Sequence, residues 1–494
     1  MKTEKLLFNV IKSMTMNEKR YFKVFCNRHK LGNQNKYVLI FTILQNFSKF
    51  DENELVLILE KNNYSSNFIS SDMNYLKKIL LKSLNEFHTE KTHSLKIKQQ
   101  LLSIEILFYK GLYQECLELI HKAKNIKLIH ENTYLYLELL DWEKKCLGYS
   151  QGLIKAMSIN NTIEKYFNEL KLNKEITDVY YKSYHLRNNI GRINIEKIFS
   201  EFNELLKSTI FDQFKEIKSI RIRIFFNLIY SNYYHTLKNL SAELDYLTRA
   251  LILFDENEDY KHENPLDYIS IHIRIIEIKK FGPSEDFYAE HNKLSSFDKI
   301  IKIQKNVIKE RIFLFTNQTE LEHLLYINKF NNAIEVMNKI LLALEKTTYN
   351  IEPYYYMKIY YLIASIYSMK GEFSASLKFI NKIINFYKFS IRPTVFMRAE
   401  FLNIIIHYEL KNYDLVQHLI ENATKKYKST YKFDFIEEKI IELIYKISIN
   451  PNILNEKIEF KKLFDKLNET NSVENNLLKN NYFRYIQSKV TPQL

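Results

Sequence analysis

The sequence predicts an all-α chain: a solenoid of about eight antiparallel helical hairpins over residues 95–450. A basic helical domain over 1–94 precedes it and capping helices over 451–494 follow it. Three observations carry this expectation. Seven glycines and six prolines among 494 residues are too few for tight β-hairpins, phosphate-cradling loops or dinucleotide-binding turns, all of which need glycine. The few glycines recur at near-constant steps. Between them, apolar residues repeat at the i, i+3, i+7 spacing of a helix with one buried face. Hydrophobic residues make up 46% of the chain and aromatics 14%, enough to build packed cores.

From the N-terminus, TMNEKRYFKVF places Thr15 three residues before Glu18, the spacing of a capping box. FDENELVLILE repeats it with Asp51 and Glu54. SDMNYLKKILLKSLNEF sets Met73, Leu76, Ile79, Leu80 and Leu84 along one side. Four to six short helices are expected before residue 95. The net charge of +14 is uneven, because residues 1–50 hold ten Lys/Arg and two acids. Lys19, Arg20, Lys23, Arg28 and Lys30 are therefore candidates for phosphate contact, while a helical cap on the solenoid is the structural alternative. An AT-rich codon bias is a further source of the lysine excess.

The turns come next. Gly111, Gly152, Gly191, Gly282 and Gly371 each separate two segments of helical periodicity, and turns near Lys238, Asn328 and Lys411 fill the gaps at steps of about 40–45 residues. Such a period marks a solenoid. YKGLYQECLELIHKA, MKGEFSASLKFINKI, INKFNNAIEVMNKI and LKNYDLVQHLIENA share one design. A turn residue closes the first helix in the left-handed conformation. An aromatic two residues later (Tyr113, Phe373, Phe330, Tyr413) fills the crevice between the helices. A small residue three further on (Cys116, Ser376, Ala333) permits close approach.

This arrangement resembles the tetratricopeptide repeat. Tyr360, Ile363, Ala364 and Tyr367 fall on that family's first-helix signature, and Ser376 stands at its second-helix alanine. Ile383 at the last small position, the absence of a repeat-terminal proline and steps longer than the family's are departures. The resemblance implies a right-handed solenoid whose first helices line a concave groove. Groove positions would then be Lys358, Tyr361, Ser365 and Ser368 in one unit, and Arg398, Phe401, Ile405 and Tyr408 in another. Both the start of the chain (EKRYFKVF, KYVLIFTIL) and its aromatic-basic end are similar to helical-repeat proteins of the Bacteroidota.

No phosphate loop, GxGxxG, HExxH or EF-hand pattern occurs in the sequence, and no CxxC. Neither a catalytic set, a cofactor nor a metal is expected. Carboxylate pairs such as Glu437–Glu438 are expected on solvated faces, and Trp142 in a core. Three scattered cysteines and the lack of an 18-residue apolar run point to a cytoplasmic protein. The expected function is that of a scaffold or adaptor binding a protein or peptide segment, one with some acidic character, in the groove. A nucleic-acid-associated regulator is the alternative.

Overall fold

The structure is a computed structural model that describes residues 2–28, 35–62, 64, 69–188, 195–207, 218–297, 305–346, 353–427, 433, 435–451, 455–469 and 485–490. Every regular element among these residues is a helix. Near the N-terminus are α1 (Lys2–Ser13), α2 (Met16–Asn27), α3 (Lys36–Asn46), α4 (Glu52–Lys61) and α5 (Ile69–His88). The Thr15–Glu18 capping box opens α2. Thr15 Oγ1 accepts the Glu18 N–H at 3.3 Å, and the Glu18 carboxylate accepts the Thr15 N–H at 2.6 Å. Asp51 likewise accepts the Glu54 N–H at 3.1 Å. Met73, Leu76 and Leu80 are fully buried, with Ile79 and Leu84 packed beside them. Phe22 and Phe41 meet them with ring centroids 4.5 Å apart. The apolar stripe read from the sequence thus faces a core made from residues of these five helices and of the short connections between them.

The chain continues through α6 (His93–Phe108), α7 (Tyr113–Lys124), α8 (Thr133–Gln151), α9 (Leu153–Met157), α10 (Asn160–Asn188) and α11 (Ile195–Leu206). Next come α12 (Ile220–Thr236), α13 (Leu240–Asp255), α14 (Glu258–Glu263), α15 (Pro265–Lys279), α16 (Ser284–Phe297) and α17 (Lys305–Tyr326). The last are α18 (Phe330–Lys346), α19 (Pro353–Met369), α20 (Phe373–Phe386), α21 (Pro393–Glu409), α22 (Tyr413–Lys426), α23 (Phe435–Ile449) and α24 (Glu456–Glu469). Among the described residues, none of these helices is long and apolar enough to cross a membrane.

Five helix pairs are closed in one way. Gly111, Lys238, Asn328, Gly371 and Lys411 all have φ between 56° and 76°. In each case the N–H of that residue reaches the carbonyl three residues back, and the next N–H reaches five back. Gly371 bonds to Ser368 at 3.0 Å and Glu372 to Tyr367 at 2.9 Å, and Lys411 and Asn412 bond to Tyr408 and His407 at 2.9 and 3.0 Å. This is the Schellman closure, which satisfies carbonyls a helix end otherwise leaves unpaired. The lysines at two of these turns carry a left-handed strain of about 1 kcal/mol that glycine avoids.

The slot five residues past each turn has a second use. Cys116 Sγ donates to the Ile104 carbonyl at 3.4 Å, and Ser376 Oγ to the Ala364 carbonyl at 2.7 Å. These side chains tie the second helix to the first as well as giving it room. Gly152, at φ 92°, instead breaks α8 from the one-turn α9, and the long α10 follows. Gly282 lies between α15 and α16 without a left-handed φ, and Gly191 falls outside the described residues. Short helices at Ile129–Glu131, Glu258–Glu263 and Phe389–Ile391 are inserted between one helix pair and the next.

Most core clusters join helices near one another in sequence. One gathers residues from Ile97 to Tyr166, another runs from Phe281 to Ile406, and a last runs from Phe389 to Val490. First helices also pack on first helices, in the series α15, α17, α19, α21 and α23. Trp142 is half-buried at the edge of its cluster, 5.3 Å from Phe108. Glu437 is buried while Glu438 is exposed, so that pair does not share a solvated face. Consecutive helical residues lie about 100° apart, and position 437 points inward beside Ile436 and Ile440.

Candidate functional site

A cleft of about 510 Å³ opens where α8, α10, α12 and α15 meet. Its geometry begins with Leu128, whose left-handed φ of 61° turns the chain into the one-turn helix ending at Glu131. The Glu131 carboxylate accepts the backbone N–H groups of Ile220 at 2.9 Å and Arg221 at 3.3 Å, and the Ser219 hydroxyl at 3.0 Å. Those are donors that the start of α12 would otherwise leave unpaired. One carboxylate thus fixes the start of α12 against the start of α8. On the opposite side, Glu263 accepts the His93 N–H at 2.6 Å.

The walls are aromatic. Tyr180 stacks on Phe225 with centroids 4.8 Å apart and planes 12° apart, and the Arg221 guanidinium lies 5.3 Å over the same Phe225. Tyr260 is buried, and burial pushes its phenol up, with Glu131 and Asp267 adding to the effect. Tyr134 and Tyr181 stand exposed at the mouth. Asp267 opens into the cleft, and the surrounding protein raises its carboxyl above the ordinary value by burial, with Arg221 opposing.

Two buried ionic clusters lie along the same helices. Glu243 of α13 is fully buried five residues past the Lys238 turn, in the slot that Cys116, Ala333 and Ser376 fill elsewhere. His235 Nδ1 is 2.8 Å from it, Arg274 Nη2 3.1 Å and Arg187 Nη2 3.7 Å. Burial alone would raise its carboxyl, but His235, Arg274 and Arg187 together hold it below the usual value. In the second cluster Lys358 bridges Glu277 at 3.1 Å and Glu322 at 3.0 Å, while Lys280 reaches Glu322 at 2.6 Å and also pairs with Glu277. Burial would raise the Glu277 carboxyl, yet the two ammonium groups hold it far below its ordinary value.

The structure disperses the groove residues expected from the sequence. Lys358 lies inside the second ionic cluster. Tyr361 is buried in the core formed by α17–α21, and Phe401, Ile405 and Tyr408 are buried in the core that α21 shares with α23, α24 and residues 485–490. Arg398, Ser365 and Ser368 are half-buried, and the Ser365 hydroxyl donates to the Tyr361 carbonyl at 2.8 Å. Aromatic positions of that set therefore serve packing between neighbouring first helices and do not present an open surface. The same spacing counted back from Lys238 does reach the cleft, at Phe225 and Leu228.

Of the basic N-terminal residues, Arg20 is exposed, and Lys19 and Lys23 are half-buried. Arg28 is exposed but ion-paired with Glu86 at 2.5 Å over the rings of Tyr21 and Phe25. Lys30 lies outside the described residues. Burial, with Lys12 and Lys23 nearby, holds the Lys19 ammonium below its ordinary value. Among the described residues no group of three His, Cys, Asp or Glu side chains is placed to hold a metal ion. The cleft acids escaped sequence reading because they come from the inserted one-turn helices and the first turn of α15, not from the repeating pattern. Glu243 did leave a signal: a glutamate in LSAELDYL where the other turns have a small or apolar residue. No protein-family model matches the chain, and no curated protein matches it.

Proposed function

We propose that the chain is a non-enzymatic adaptor built as a right-handed, tetratricopeptide-like solenoid of about eight hairpins. It holds a segment of a partner protein on the face formed by its first helices. Five like turn closures and the packing of first helix on first helix support the solenoid. The observation that carries the binding role is the cleft between α8, α10, α12 and α15. It is concave, with aromatic rings and fixed polar groups together in its lining, which offers stacking and hydrogen-bonding partners to a bound segment. The binding face therefore lies around Tyr134, Tyr181 and Phe225 rather than around Tyr361 and Phe401.

Site-specific photo-crosslinking tests this. A benzophenone side chain placed at Tyr181, in the cells that make the protein, is expected to capture a discrete partner, with capture lost when Tyr134→Glu is added. The same probe at Leu342, exposed on the second helix α18, is expected to capture none. Equal capture at Leu342 and Tyr181, or none at Tyr181, overturns the assignment.

A further inference from the structure

The overall charge of +14 suggests an acidic partner, but the cleft is locally the opposite. Three carboxylates, Glu131, Glu263 and Asp267, line it against one guanidinium, Arg221. Glu131 and Glu263 accept backbone N–H groups, which satisfy their oxygens without cancelling their charge. Among the described residues Asp267 has no cation within ion-pair distance, and burial raises its carboxyl. Asp267 stands exposed in the cleft, with the Arg221 charge acting on it but not ion-paired to it. Resting on the adaptor reading above, we propose that the cleft takes a lysine or arginine side chain of the partner segment, with Asp267 as its ion-pair acceptor and the tyrosines as its walls.

The molecule already uses this chemistry once, on itself. Residues 485–490 form a helical turn that places Lys489 2.8 Å from Glu409 and 2.9 Å from Glu456, with its ammonium 5.5 Å over the Tyr408 ring. Beside it Tyr485 donates to Glu409 at 2.6 Å, and Ile486 is fully buried. A short basic-aromatic segment thus docks against α21 and the start of α24 through two carboxylates and a tyrosine. The cleft offers the same set in Asp267, Glu131 and Tyr260, and among the described residues no lysine lines it. Its volume of about 510 Å³ holds one long cationic side chain together with parts of its neighbours. The positive charge of the rest of the chain repels a cationic segment at long range, so uptake depends on this one local field.

A random dodecapeptide display library panned on the full chain tests the proposal. Enriched peptides are expected to carry a central arginine or lysine. Their affinity should fall by at least about tenfold on Asp267→Asn, and stay near the parent value on Asp267→Glu. Replacing the arginine by uncharged citrulline in a synthetic peptide should produce the same loss on the unaltered protein, a readout that needs no folded variant. Enriched peptides that are acidic or neutral and are lost on Tyr181→Glu leave the adaptor reading standing and overturn the cationic one. Cationic peptides indifferent to Asp267→Asn and to citrulline also overturn it. No enrichment over the Tyr134→Glu/Tyr181→Glu double variant overturns both.

Discussion

Replacing Glu243 separates two accounts of its slot. At equivalent positions the chain has Cys116, Ala333 and Ser376, all fully buried, so size alone makes Glu243→Ala harmless. The ionic account predicts the reverse. Removing the carboxylate leaves Arg274 and Arg187, with side chains only 12% and 18% exposed, without their shared counter-charge. Breaking a buried pair from one side costs about 3–5 kcal/mol. Hydrogen exchange read by mass spectrometry over α12, α13 and α15 should therefore accelerate by about a hundredfold or more at the lower of those figures. Glu243→Gln keeps the shape and should behave likewise. Adding Arg274→Met to Glu243→Ala should recover part of the loss. Because the folded carboxyl lies below its unfolded value, the stabilisation is complete above about pH 4.3 and is lost as pH falls through the folded value. The gap in melting temperature between the parent and Glu243→Gln should then narrow in acid. A Glu243→Ala protein with unchanged exchange over α12, α13 and α15 refutes the ionic account.

Three further outcomes follow from other positions. A Cβ added at Gly371 meets no atom within 4 Å, so the main cost of Gly371→Val is the left-handed strain of about 1 kcal/mol or more. Exchange at the α19–α20 closure should rise about fivefold. Burial raises the Cys116 thiol and pushes that of Cys146 up to about 12, so iodoacetamide at neutral pH should label both only after denaturation. Lys489→Met leaves Glu409 and Glu456 facing each other without their cation, and amide exchange over 485–490 should quicken while the α12–α15 region stays unchanged.

How much of this molecule could be read from its residues differs by level. Turns at Gly111, Lys238, Asn328, Gly371 and Lys411 were legible because a closed helix end has strict backbone needs. At Gly111, Asn328 and Gly371 a turn residue, an aromatic two later and a small side chain three beyond express those needs locally, whereas Lys238, followed by Leu240 and Glu243, shows only in the spacing. The caps at Thr15 and Asp51 were legible for the same reason. Gly152 and Gly282 carried the spacing without the aromatic-then-small signature, and neither adopts the same closure. The signature thus marks a closure wherever it occurs, while the period alone found the closure at Lys238 and also pointed to Gly152 and Gly282, which lack it.

Faces were less legible, and the reason is geometric. A helix with one neighbour on each side buries two stripes, and which residues remain open depends on how far the next helix slides along it. Position counting assumes a constant slide. In this chain the inserted one-turn helices change it from pair to pair, and residues 485–490 cover α21 besides. Tyr361, Phe401 and Tyr408 therefore fall beneath neighbours, while Phe225 and Leu228, at equivalent spacing, face a cleft. That cleft exists because the Glu131 turn and α14 stand between the pairs and prop the starts of α12 and α15 around it. The short helices inserted between the pairs thus also build the cleft, and removing the Glu131 turn should close the cleft before it unfolds a pair.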